Sequence, residues 1–133
     1  MMEAMEEIKS EMMKKKTWAV VGATPNVDKF GYKIYKTLQE HQYKVYGVNP
    51  NYKELEGEEL CSDLLSLPEE PDCISVVVPP NVTLSLLDEI NQTGIEYVWF
   101  QPGTYDAKVL ETAKKLDLKI VYNNCVLVTL GNQ

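Results

Sequence analysis

The sequence predicts an α/β domain of the Rossmann-like type, a five-stranded, mainly parallel sheet with helices on both faces. Three observations point there. Short β-branched runs alternate with segments of helical period along the chain, the pattern of β-α-β units joined by right-handed crossovers. One run, Cys73–Val78 (CISVVV), is apolar throughout, as a strand covered on both faces must be. The first run, Thr17–Val21, leads directly into a glycine turn, Gly22-Ala23-Thr24, followed by a helical pattern.

The elements follow in order. Residues 1–16 read as an N-terminal extension to a domain of residues 17–133. Met5, Ile8 and Met12 fall at helical spacing there, which predicts a frayed or weakly docked helix; the sharper alternative is a helix that binds a partner. After the first strand, Phe30, Ile34 and Leu38 mark the core face of a helix, with Asp28 as its expected N-cap. Tyr43–Val48 is the second strand, stopped by Asn49-Pro50-Asn51. Residues 51–71 read as irregular, with a short helical turn at Asp63–Leu67. Pro79-Pro80 ends the third strand; Asn81 or Thr83 is expected to cap a helix with Leu84, Leu87 and Ile90 inward, closed by Gly94. Ile95–Phe100 is the fourth strand. Thr104 is the expected cap of a helix over Tyr105–Leu116, and Leu118–Val121 is the fifth strand. Val126–Val128 is expected to add a short final strand.

Size and composition fit one domain: 133 residues, 44% hydrophobic and 25% charged. No run is long enough to span a bilayer and the start of the chain carries no signal-type apolar stretch, so the expected location is the cytoplasm. A net charge of −7 argues against a nucleic-acid partner, which would need a basic face. It also means that any phosphate ligand must be held by local positive ends, namely helix N-termini and a lysine. Three cysteines at long spacing and a single histidine, His41, make neither a disulfide framework nor a metal site, so no metal is expected.

In a parallel sheet the ligand sits at the carboxyl ends of the strands, which selects the turns after Val21, Val48, Val78, Phe100 and Val121. In the first turn, Gly22 permits a tight approach of backbone to ligand, Thr24 offers a hydroxyl, and Lys29 is a point cation suited to phosphate. Gly31 lies inside the first helical turn, where glycine is costly unless a ligand or a close strand–helix contact needs the space. The full G-x-G-x-x-G fingerprint is absent. The second strand ends in Asn49-Pro50, where NAD binders usually carry an acid. Val78-Pro79 can form an apolar wall, and Gln101-Pro102-Gly103 can line the same cleft. No nucleophile elbow or Walker lysine motif is present, and no catalytic residue is assigned.

These pieces together resemble a known family. Ala19-Val20-Val21-Gly22-Ala23-Thr24, Gly47-Val48-Asn49-Pro50, Glu56-Gly57, Val76-Val77-Val78-Pro79 and Val98-Trp99-Phe100-Gln101-Pro102-Gly103 are similar, in this order, to the small stand-alone CoA-binding domain proteins of bacteria and archaea. Their domain is related to that of succinyl-CoA ligase α subunits and ADP-forming acyl-CoA synthetases. The resemblance covers Lys16 to Val128. It implies that the turn with Gly22, Ala23 and Thr24 receives the CoA phosphates, with Lys29, Phe30 and Gly31 close by. It implies that Asn49-Pro50 and Val78-Pro79 surround the adenosine, and that Gln101 and Gly103 complete the cleft. The family often ends its fifth strand in an Asp-Arg-Cys type sequence; this chain has Asn123-Asn124-Cys125. It also lacks the separate histidine-bearing domain of the larger ligases. The expected function is a non-catalytic module that binds CoA or an acyl-CoA. The alternatives are an NAD(H)-binding sensor or reductase-like protein, or a minor CoA-dependent enzyme using Cys125. The expected partner is a CoA-type small molecule, with a homodimer or a protein partner left open.

Overall fold

The computed structural model describes residues 2–131. A seven-stranded sheet forms the centre: β1 (Thr17–Val21), β2 (Lys44–Val48), β3 (Glu54–Leu55), β4 (Glu58–Cys61), β5 (Cys73–Val76), β6 (Tyr97–Phe100) and β7 (Lys119–Val121). Its order is β3-β4-β2-β1-β5-β6-β7. Every pairing is parallel except β3 with β4, so the sheet is mixed and larger than the five strands expected. The two added strands lie in the segment expected to be irregular. They form a hairpin whose turn, Glu56-Gly57, has positive φ at both residues (48° and 85°), as a tight two-residue turn demands.

The helices are α1 (Met2–Lys14), α2 (Phe30–Glu40), α3 (Pro80–Ile90), α4 (Ala107–Lys115) and α5 (Val126–Gly131), with a 3-10 turn at Leu64–Ser66. They cover both faces because the strand residues alternate. Ala19, Val21, Ile74, Val76, Val98 and Phe100 pack in one core with Leu86 and Leu87 of α3 and Val109 and Ala113 of α4. Trp18, Val20, Trp99 and Val121 pack in the other with Met12 of α1, Ile34 and Leu38 of α2, and Val126 and Leu130 of α5.

Several local expectations are corrected. Val126–Val128 begins α5 instead of a strand, because Gln101 Oε1 accepts the Val126 N–H at 3.1 Å and Cys125 O accepts from Val128 and Thr129. The α2 N-cap is Lys29, with no side-chain cap, and Asp28 gives its own N–H to Asn26 Oδ1. Pro79 caps α3 with Pro80 at the first helical position, while the Thr83 hydroxyl donates back to Val78 O and Pro79 O. Asp106 caps α4 by accepting from Val109 N at 2.9 Å; the Thr104 hydroxyl is instead given to Gln101 O. β5 ends at Val76, two residues short of the expected run.

The N-terminal helix is not frayed. Met12 is fully buried, and Met5 and Ile8 pack beside it on the expected stripe. Tyr43 Oη donates to Met13 O at 2.6 Å, Tyr97 Oη to Glu11 at 2.6 Å, and Lys9 Nζ to Asn124 Oδ1 at 3.2 Å. Among the described residues, no helix is long and apolar enough to cross a membrane.

The chain leaves β1 toward β2 on one side and returns to β5 on the other. The sheet's switch point therefore lies between β1 and β5, which opens a crevice at their carboxyl ends.

Candidate functional site

A cleft of about 430 Å³ occupies that crevice. Its base is Val21, Gly22 and Val48. Asn49 and Pro50 form one side, and Val78, Pro79, Val82 and Leu86 the other. Asp63 and Glu89 close one end.

Backbone constraints build the base. Gly22 N donates to Val48 O at 2.8 Å, and Val77 N donates to Val21 O at 2.8 Å, so the ends of the three strands are tied together. Gly22 has φ 105°, and a Cβ there would lie 2.5 Å from Val77 O. No other residue fits that position.

The turn after Gly22 is rich in unused donors. Gly22 gives its N–H to Val48 O, Asn26 to Thr24 Oγ1, Asp28 to Asn26 Oδ1, Lys29 to Asn26 O and Tyr32 to Lys29 O. Pro25 has none. The N–H groups of Ala23, Thr24, Val27, Phe30 and Gly31 have no acceptor among the described residues. Buried backbone donors are rarely left idle, and Ala23, Thr24 and Gly31 are buried; their free N–H groups at a helix N-terminus favour an anion. Lys29 adds an exposed ammonium with no ion-pair partner among the described residues.

The expected residues thus fall into three groups. Gly22, Asn49, Pro50, Val78 and Pro79 line the cleft together. Ala23, Thr24, Lys29, Phe30 and Gly31 lie in the adjoining turn; Ala23 and Thr24 are buried, while Lys29 and Phe30 are exposed. Gln101 and Gly103 follow β6 and do not line the cleft. Gln101 is buried, its Nε2 donating to Ser75 Oγ at 3.0 Å and its Oε1 accepting from Val126 N. Gly103 is exposed at φ 86° with open space around it.

Sequence reasoning missed the α3 wall and the acidic end. Val82, Ser85, Leu86 and Glu89 fall at i, i+3, i+4 and i+7, so helical spacing carried a signal for a second face of α3. Both carboxylates also serve the 3-10 turn. Asp63 Oδ1 accepts from Ser66 N at 2.9 Å and from Ser66 Oγ at 2.7 Å, and Glu89 Oε1 accepts from Leu64 N.

The cleft is suited to holding a ligand with an anionic segment beside an apolar ring. No cysteine or histidine lines it. Burial pushes the Cys73 thiol up to about 12. The Cys61 thiol is also raised, first by burial and then by Glu59 and Asp63. Cys125 caps α5 through its carbonyl. His41 sits at the end of α2, Nδ1 2.9 Å from Thr37 O, just before the amino end of β2 and so at the opposite end of that strand from the cleft. Among the described residues no group of His, Cys, Asp and Glu is arranged to hold a metal ion.

The chain is 29% identical over 119 residues to an ADP-forming acetate–CoA ligase of Methanocaldococcus jannaschii, covering 84% of this chain and 17% of the ligase. It is 32% identical over 119 residues to the α subunit of ADP-forming acetate–CoA ligase II of Pyrococcus furiosus, covering 81% of this chain and 26% of the subunit. The chain therefore spans about a quarter or less of these relatives. A solved structure of a hypothetical protein from Pyrococcus horikoshii superimposes with a TM-score of 0.88 at 31% identity, covering 96% of this chain and 89% of that one. A family model described as a CoA binding domain matches residues 16–131, nearly all of the described chain, and the protein belongs to that family.

Proposed function

We propose that the protein binds CoA or an acyl-CoA at the carboxyl ends of β1, β2 and β5, as a binding module without chemistry of its own. The observation that carries this reading is the set of five N–H groups, without an acceptor among the described residues, in the turn from Ala23 to Gly31, beside Lys29 and at the mouth of an apolar cleft. Phosphates belong on those donors and at the N-terminus of α2. They are excluded from the other end of the cleft, where Asp63 and Glu89 would repel them. The adenosine then lies between Asn49-Pro50 and Val78-Pro79, with Val82 beside it. A cleft of about 430 Å³ is in the range of small-molecule sites. Membership of the CoA-binding family supports the same ligand.

NAD(H) is disfavoured at the end of β2, where the amide of Asn49 replaces the acid that accepts from a free ribose diol. Thermal unfolding with CoA and with NADH separates the two. CoA at about 100 times its Kd is expected to stabilise the fold by roughly 2.7 kcal/mol, a rise in Tm of about 10 °C. A shift with NADH and none with CoA would reverse the assignment, and calorimetry without heat for either ligand would remove it. Native mass spectrometry of freshly purified protein would identify a retained acyl-CoA by mass.

A further inference from the structure

We infer that Asn49 is a positioning residue for the phosphate turn, acting on the ligand through the Ala23–Thr24 peptide; the inference rests on the CoA-binding reading above. Asn49 sits where a direct ligand to the ribose is expected from sequence, yet its side chain is engaged with the protein at both ends. Nδ2 donates to Ala23 O at 2.8 Å, and Oδ1 accepts from Asn51 N at 2.9 Å. Its own backbone N–H is fixed on Cys61 O of β4 at 2.8 Å. The amide is therefore a strut between the β2 turn and the β1 turn.

The strut has a consequence for Thr24. The Ala23 carbonyl and the Thr24 N–H belong to one trans peptide and point in opposite directions. Holding Ala23 O on Asn49 therefore aims the Thr24 N–H away from Asn49. That N–H is one of the five without an acceptor among the described residues. The Thr24 hydroxyl oxygen accepts from Asn26 N at 3.2 Å, which fixes the side chain within the turn and leaves its O–H proton free to donate as well. The residue thus offers its backbone, in a direction set by Asn49, to whatever anion the turn holds.

The same geometry explains the residue type. Only a donor can hold Ala23 O. An ionised aspartate at position 49 would set its oxygens against that carbonyl and add a negative charge beside the phosphates. The amide is required by the strut, so exchanging it for an acid is not expected to convert the site to NAD; it is expected to loosen the turn.

The test compares wild type, Asn49→Ala and Asn49→Asp by protein-observed NMR titration with CoA and with adenosine, which has the same base and ribose but no phosphate. The expected result is a loss of CoA affinity of about tenfold or more in N49A, the scale of a charge-assisted hydrogen bond, and a clearly smaller fold-loss for adenosine, which meets Asn49 only as part of the cleft wall. The CoA-induced downfield shift of the Thr24 amide proton is expected in wild type and lost in N49A. N49D supplies an independent readout, because a protonated aspartic acid can donate to Ala23 O and a carboxylate cannot. Relative to wild type, its CoA affinity is expected to rise as pH falls through the carboxyl titration. Equal losses for CoA and adenosine would mean a packing role and overturn the inference, as would N49A binding CoA like wild type or an N49D profile parallel to wild type. A wild-type protein that does not bind CoA overturns the underlying reading, and this inference with it.

Discussion

Gly31, in the first turn of α2, lies directly against the carbonyl of Gly22 at the end of β1: a Cβ on Gly31 would sit 2.0 Å from Gly22 O and 3.3 Å from Thr24 Cγ2. The space that the sequence demanded there is used by a strand–helix contact. The close approach brings the N-terminus of α2 down onto the glycine turn, which puts the free donors of Phe30 and Gly31 on the same short segment as those of Ala23 and Thr24.

Gly31→Ala is therefore expected to destabilise the fold by about 2–4 kcal/mol, since the atom it meets is backbone and cannot swing aside. The sign is diagnostic. In an unobstructed helix interior the same change stabilises by about 1 kcal/mol. Urea denaturation decides it, and a neutral or stabilised variant would contradict the contact.

Gln101→Leu tests a second position where sequence and structure assign different work. The side chain is 2% exposed and joins Ser75 Oγ to Val126 N across two elements. Removing both of its polar ends leaves a fully buried hydroxyl and the first N–H of α5 without partners. The expected cost is about 2–3 kcal/mol in stability. CoA affinity, measured by calorimetry where the variant is fully folded, is expected to stay within about twofold of wild type. A large affinity loss with unchanged stability would make Gln101 a ligand contact.

These positions show which parts of the molecule were legible in sequence. The five strands β1, β2, β5, β6 and β7 were readable because their carboxyl-terminal halves are buried, and burial leaves apolar runs such as CISVVV. Gly22, Asn49-Pro50 and Val78-Pro79 were readable as cleft residues because a parallel sheet exposes its ligand site at strand ends. The β3–β4 hairpin was not readable: only Leu55 and Leu60 of its strands are buried, too few to leave an apolar run, and one positive φ of its turn falls on Glu56, not a glycine. Val-Leu-Val at residues 126–128 has the composition of a strand, and what makes it helical is an acceptor on Gln101, 25 residues away. The acidic end of the cleft depends on the rotation of α3, which brings Glu89 to Leu64 N and is fixed by tertiary packing alone.

The N-terminal helix gives a further test, because a frayed helix and a packed one respond differently to truncation of its stripe. Met12 is fully buried among residues of β1, β5 and β7. Met12→Ala is expected to cost about 2–4 kcal/mol. Glu7→Ala, on the exposed side of the same helix, is expected to change stability by less than about 0.5 kcal/mol. Equal, small effects at both positions would mean that the helix contributes nothing to the fold.

The alkaline limit of stability follows from two buried acids. The Cys73 thiol is pushed from 9.0 up to about 12, first by burial and then by Asp72, and the Tyr35 hydroxyl from 10.0 up to about 12, first by burial and then by Glu58. Both groups are neutral when protonated, and folding raises both. Below about pH 9 each is protonated in the folded and unfolded chains alike, so neither makes stability depend on pH. Above that, the unfolded chain releases its protons while the folded chain keeps them, and stability falls with rising pH until the folded groups also ionise near 12. The urea midpoint is thus expected to be insensitive to these two groups from pH 7 to 9 and to decline from pH 9 toward 12. Cys73→Ala should flatten the decline from its onset, and Tyr35→Phe only above about pH 10. The same burial predicts the order of alkylation in the native protein at pH 8, with Cys73 reacting last, because its thiolate fraction and its exposure are both minimal. A Cys73 that reacts as fast as Cys61 and Cys125 would show that the β5 face beneath α1 opens to solvent.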